Sequence, residues 1–138
     1  MSDRTLNILL VEDDEVDVMN VRRAFERNNV SNPLYVAGNG LEALEMLRDG
    51  TVPAERRLIL LDLNMPRMNG IEFLQALRAD PELSSAPVVV LTTSNDDQDK
   101  IDAYNLNVAG YLLKPVTFSN FCERMTTLNK YRTLVEMP

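Results

Sequence analysis

The chain contains no histidine. That absence removes the commonest transition-metal ligand and the commonest general base together, so a zinc enzyme or a triad hydrolase would have to work without its usual centre. Cysteine is almost missing too. Cys122 stands alone and permits no internal disulfide, which suits a reducing compartment, and its place in an apolar helix stripe reads as a buried structural thiol. No apolar run approaches the roughly 20 residues that cross a bilayer. Met1 to Asn7 carry no basic stretch leading into an apolar one, so no signal peptide is expected and the cytoplasm is the expected compartment. Basic residues are also scarce, 14 Lys and Arg against 21 Asp and Glu, a net charge of -7. Such a balance disfavours nucleic acid, whose counterions a basic surface must displace, and anionic membranes alike.

What remains is an ordinary globular composition, 45% hydrophobic and 25% charged over 138 residues, enough for one domain with a proper core. The chain is organised around Leu58 to Gly70. Four apolar residues run into Asp62, and Pro66, Asn69 and Gly70 interrupt the pattern before an amphipathic helix. A short apolar run bounded by turn residues predicts a strand buried on both faces, which puts Asp62 at its carboxyl end. Open α/β sheets bind ligands at that end.

Alone, Asp62 reads as a turn residue capping the next helix. Its company changes the reading. Ile8 to Val11 is a second buried strand and stops at Glu12-Asp13-Asp14-Glu15; Val88 to Leu91 leads to Thr92; Gly110 to Leu113 leads to Lys114. Acids at a helix start complement its dipole, which accounts for Asp14 and Glu15 but less well for Glu12 and Asp13 directly after a strand. Leu34 to Ala37 is a strand with no chemical group at its end. Helix stripes follow the strands: Val18, Val21 and Phe25; Leu41, Leu44 and Leu47; Ile71, Leu74 and Leu77; Ile101, Tyr104 and Val108; then Phe118, Phe121, Cys122, Met125 and Leu128. Five strands alternating with five helices predict an α/β, doubly wound, five-stranded parallel sheet with strand order 2-1-3-4-5. That order brings Glu12, Asp13 and Asp62 together. A hard divalent cation such as Mg²⁺ suits such a cluster.

Taken in order, Ile8 to Asp14, Leu61-Asp62-Leu63-Asn64-Met65-Pro66 with Asn69-Gly70, Val90 to Thr93, and Gly110 to Pro115 resemble the receiver domain of a two-component response regulator, a flavodoxin-like fold. The resemblance implies that Asp62 is the phosphoacceptor for a phosphoryl group carried by the histidine of a sensor kinase. It implies that Asp13 and Asp62 bind Mg²⁺ directly, that Asn64 offers its backbone carbonyl, and that Glu12, where the family often has Asp, acts mainly through a coordinated water. Thr92 and Lys114 would hold phosphoryl oxygens, Thr92 and Tyr111 would form the switch that alters the surface around the fourth and fifth helices, and the Lys114-Pro115 bond would be cis. The protein would be a phosphoacceptor with autodephosphorylation rather than a turnover enzyme.

Residues 1–130 are expected to form the receiver and 131–138 a tail. Leu134, Val135 and Met137 make that tail a candidate homodimerisation segment. The tail, with Leu91-Thr92-Thr93-Ser94, resembles the stand-alone regulators that serve bacterial phytochrome kinases. Two other readings compete. A flavodoxin-like electron carrier needs a phosphate-cradling loop that the acids after the first strand would repel. A pseudo-receiver binding module usually lacks part of the acid and lysine set, which is intact here.

Overall fold

Along each central strand, alternate side chains enter two different cores. A computed structural model of the chain describes residues 7–27, 32–63, 69–92, 106–114 and 119. Within them the chain runs β1 (Asn7–Val11), α1 (Glu15–Arg27), β2 (Leu34–Ala37), α2 (Gly40–Arg48), β3 (Arg57–Asp62), α3 (Gly70–Ala79), β4 (Val88–Thr92) and β5 (Gly110–Leu113). The strands form one sheet in the order β2-β1-β3-β4-β5, every pairing parallel.

Successive residues of a strand point to opposite faces, so a strand covered on both sides must be apolar at every position. Ile8, Leu10, Leu58, Leu60, Val89, Leu91 and Leu112 pack with Val21, Ala24 and Phe25 of α1. Leu9, Val11, Ile59, Leu61, Val88 and Val90 pack on the other face with Ala43, Leu44 and Leu47 of α2 and Phe73, Leu74 and Leu77 of α3. Each Leu, Ile, Val or Phe among them taken wholly out of water contributes about 1.5–3 kcal/mol before chain entropy is counted.

Two expectations on the helices need correcting. Leu41 is 47% exposed. At about 100° per residue, Gly40, Ala43, Leu44 and Leu47 define the inward arc of α2, and Leu41 falls off its edge. Val108 is not helical: the neighbouring Ala109 N–H donates to the Val88 carbonyl at 2.7 Å, which already draws the chain into the sheet, and Val108 packs half-buried against the α2 and α3 side. Among the described residues no helix is long and apolar enough to cross a membrane.

Candidate functional site

The pairing of β1 with β3, Val11 opposite Leu61, sets Glu12 beside Asp62 at the carboxyl edge of the sheet. Glu12 still belongs to the ladder through its N–H, which donates to the Ala37 carbonyl at 3.0 Å, and its side chain is wholly buried. Asp13 is exposed, and Asp14 starts α1: its carboxylate accepts from the Val16 N–H at 2.8 Å and its carbonyl from the Val18 N–H. Asp14 is thus accounted for by the helix.

Behind Asp62 the backbone is held tightly. Asn69 caps α3 in a capping box with Glu72, and the Gly70 N–H donates to the Leu63 carbonyl at 2.9 Å. A Cβ at Gly70 would lie 2.5 Å from the Leu63 Cα and 2.9 Å from the Asp62 carbonyl oxygen. Only glycine lets the helix start this close to the end of β3.

Lys114, the residue after β5, reaches back over β4 to the acids. Its ammonium lies 2.8 Å from Glu12 Oε1, 3.1 Å from Asp17 Oδ2 and 3.3 Å from Asp62 Oδ1. Burial pushes the Glu12 carboxyl up from its ordinary 4.5 to about 7; the Lys114 contact opposes that rise and the proximity of Asp62 adds to it. Burial on its own would lower the Lys114 ammonium, yet the bonds to Glu12 and Asp17 and the charges of Glu12 and Asp62 outweigh it and hold that group above its usual range.

Carboxylate oxygens of Glu12, Asp13 and Asp62 all lie within 4.8 Å of one another. This is an all-oxygen donor set with no nitrogen or sulfur, and it suits a hard divalent cation. With Asp14 and Asp17, five acidic residues gather near one lysine among the described residues, an imbalance that a divalent ion would reduce. They border a cleft of about 330 Å³ that also touches Leu91.

Of the residues singled out in the sequence, the structure therefore brings Glu12, Asp13, Asp62 and Lys114 together. Thr92 closes β4 opposite Leu113, its side chain being outside what is described. Tyr111 pairs with Val90 on β5 and packs, half-buried, on the α2 and α3 face. Asn64, Pro115, the fourth and fifth helices and the tail at 131–138 lie outside the described residues. Asp17 is a site residue that the sequence reading missed. Its lysine is 97 positions away, and the only local signal was a fifth acid shortly after Glu12-Asp13-Asp14-Glu15.

Known proteins resemble the chain over most of its length. The response regulator Rcp1 of Synechocystis is 40% identical over 110 residues, 78% of this chain and 75% of its own. A probable methanogenesis regulatory protein of Methanothrix harundinacea, FilR2, is 37% identical over 126 residues, 90% of this chain and 81% of its own. Among solved structures, the bacteriophytochrome response regulators RtBRR and AtBRR superpose with TM-scores of 0.78 and 0.79 at 40% and 36% identity, covering 90% and 92% of this chain and 78% and 94% of theirs. Residues 8–126 match the response regulator receiver domain, and the chain belongs to that family.

Proposed function

We propose that this receiver accepts a phosphoryl group on Asp62 from the histidine of a sensor kinase, with Mg²⁺ as its cofactor. One observation carries the reading: the Lys114 ammonium sits 3.3 Å from Asp62 and 2.8 Å from Glu12, in a cleft where Asp13 adds a third carboxylate. In the transfer, an Asp62 oxygen attacks phosphorus as the phosphorus–nitrogen bond of the donor breaks, its electron pair remaining on the imidazole. An anionic nucleophile approaching an anionic phosphoryl group beside further carboxylates meets Coulomb repulsion. Lys114 lowers that barrier by donating to a phosphoryl oxygen, with Thr92 as a second donor. Mg²⁺, held by Glu12, Asp13, Asp62 and the Asn64 carbonyl, would supply the remaining charge neutralisation.

Phosphorylation adds about 1.5–2 negative charges. Thr92 turning toward them opens room for Tyr111 to move inward, which changes the surface around the fourth and fifth helices. Finding Tyr111 in one rotamer with and without beryllofluoride would remove this step. Two relatives are bacteriophytochrome response regulators by name, which supports a bacterial phytochrome as the kinase, acting in the cytoplasm. The tail at 131–138 makes a homodimer in this reading; truncation after Lys130 should lower the mass in solution, and an unchanged mass would discard the dimer.

The central test is incubation with acetyl phosphate and Mg²⁺ followed by intact mass. The native chain should gain one phosphoryl group and Asp62→Asn none. No uptake by the native chain would leave the pseudo-receiver reading in its place.

A further inference from the structure

A protonated lysine has three N–H donors. In this structure they face three carboxylates, and only one of these, Asp62, is the acceptor. Glu12 is wholly buried at the end of β1 and cannot withdraw, whereas Asp17 projects from the first turn of α1 with its side chain 25% exposed. Asp17 is thus the partner that water can most readily replace. The pair also ties α1 to the residue that follows β5, 97 positions further along the chain.

We propose that Asp17 is a positioning residue that restrains phosphorylation: it shares the Lys114 ammonium in the resting protein, and Lys114 must give up Asp17 to bond a phosphoryl oxygen on Asp62. The inference rests on Asp62 being the acceptor. When acetyl phosphate is the donor, an Asp62 oxygen forms the new oxygen–phosphorus bond while acetate departs with the pair of the broken one. Two effects of Asp17 oppose that transfer. Its charge repels the incoming phosphoryl group across a short distance, and its bond to Lys114 occupies a donor that the transferred group requires.

The test uses the full chain, Asp17→Asn, Asp17→Glu and Glu15→Gln. Glu15 lies on the same helical turn, so Glu15→Gln removes an equal charge without touching Lys114. Phosphorylation by acetyl phosphate with Mg²⁺, followed by intact mass, should be about three- to tenfold faster in Asp17→Asn, the scale of one partly screened charge contact. It should change less than about twofold in Glu15→Gln, for which screening by water and salt is nearly complete, and Asp17→Glu should stay near the native rate. A second readout needs neither metal nor phosphate: acylation of the Lys114 amine by acetic anhydride at alkaline pH, mapped by peptide mass, should accelerate in Asp17→Asn alone.

Equal rates and equal Lys114 reactivity in the native chain and Asp17→Asn would overturn the proposal, as would acceleration of the same size in Glu15→Gln. If Asp17→Asn does not fold, Asp17→Ser takes its place in both measurements. Failure of the native chain to take up phosphate would instead count against Asp62 as the acceptor, and the Lys114 acylation would still decide whether Asp17 restrains the amine.

Discussion

The two ends of the sheet use their cations differently. At the carboxyl end the partners of Lys114 among the described residues are carboxylates, at 2.8–3.3 Å, in an open cleft. At the amino end two arginines meet backbone carbonyls. Arg57, first in β3, donates to the carbonyls of Leu47, Val52 and Pro53, all at 2.8–2.9 Å. Arg78, in the last turn of α3, donates to those of Ser84, Ala86 and Asn107. A guanidinium fork is rigid and always charged, so it ties neutral loop carbonyls into one fixed arrangement; an ammonium on a flexible stem can exchange one anion for another. One end of the sheet is built to stay as it is and the other to change partners.

The comparison can be broken most severely at Lys114. Lys114→Met should slow phosphorylation by acetyl phosphate about 100-fold or more, the scale of removing one preorganised donor from a transferring group, while the same assay on Arg78→Met should stay within about threefold of native, a ratio worth about 0.6 kcal/mol. Gly70→Ala comes next. With backbone atoms in the path of the new methyl group, it should lower stability by about 3 kcal/mol in urea unfolding, the upper range for overpacking, and should impair uptake because Asp62 moves with Leu63.

Arg78→Met should lower stability by about 2 kcal/mol, since several carbonyls lose a charged donor, with phosphoryl uptake nearly unchanged. Equal damage to uptake would show that the two ends are not independent. The mildest change is at Arg56, whose φ of 50° lies in the left-handed region. Arg56→Gly should be neutral to stabilising by up to about 1 kcal/mol in the same unfolding assay.

Acidity distinguishes the ends again. The Glu12 carboxyl is pushed up to about 7 in the folded protein from its ordinary 4.5, so between these values the folded state holds more protons than the unfolded one. Stability in metal-free buffer should therefore fall as pH rises through that window and level off above it. Glu12→Gln removes this slope, and the difference between the two urea series isolates Glu12 from every other group. A native series parallel to that of Glu12→Gln would mean that Glu12 titrates normally.

Much of this was visible in the residues. Strands covered on both faces cannot alternate, and Ile8 to Val11, Leu58 to Leu61 and Val88 to Leu91 are unbroken apolar runs whose ends could be read off directly. Chemistry at a strand end is then legible because β1 and β3 stop at acids. Asp17 was not legible, since its role exists only once Lys114 arrives across the sheet. Arg57 and Arg78 were hidden for the same reason: nothing local distinguishes a guanidinium that will gather carbonyls from one that will face water. Leu41 and Val108 show the opposite error, apolar residues at helical spacing that packing assigned elsewhere.

Lys114 is rooted two strands away from Asp62, with β4 lying between. A tether anchored on β5 makes that strand a lever: any shift of β5 by a fraction of an ångström alters the grip on Asp62 without entering the cleft. The reverse also follows, since a new anion that pulls on the lysine tugs at the strand that carries it.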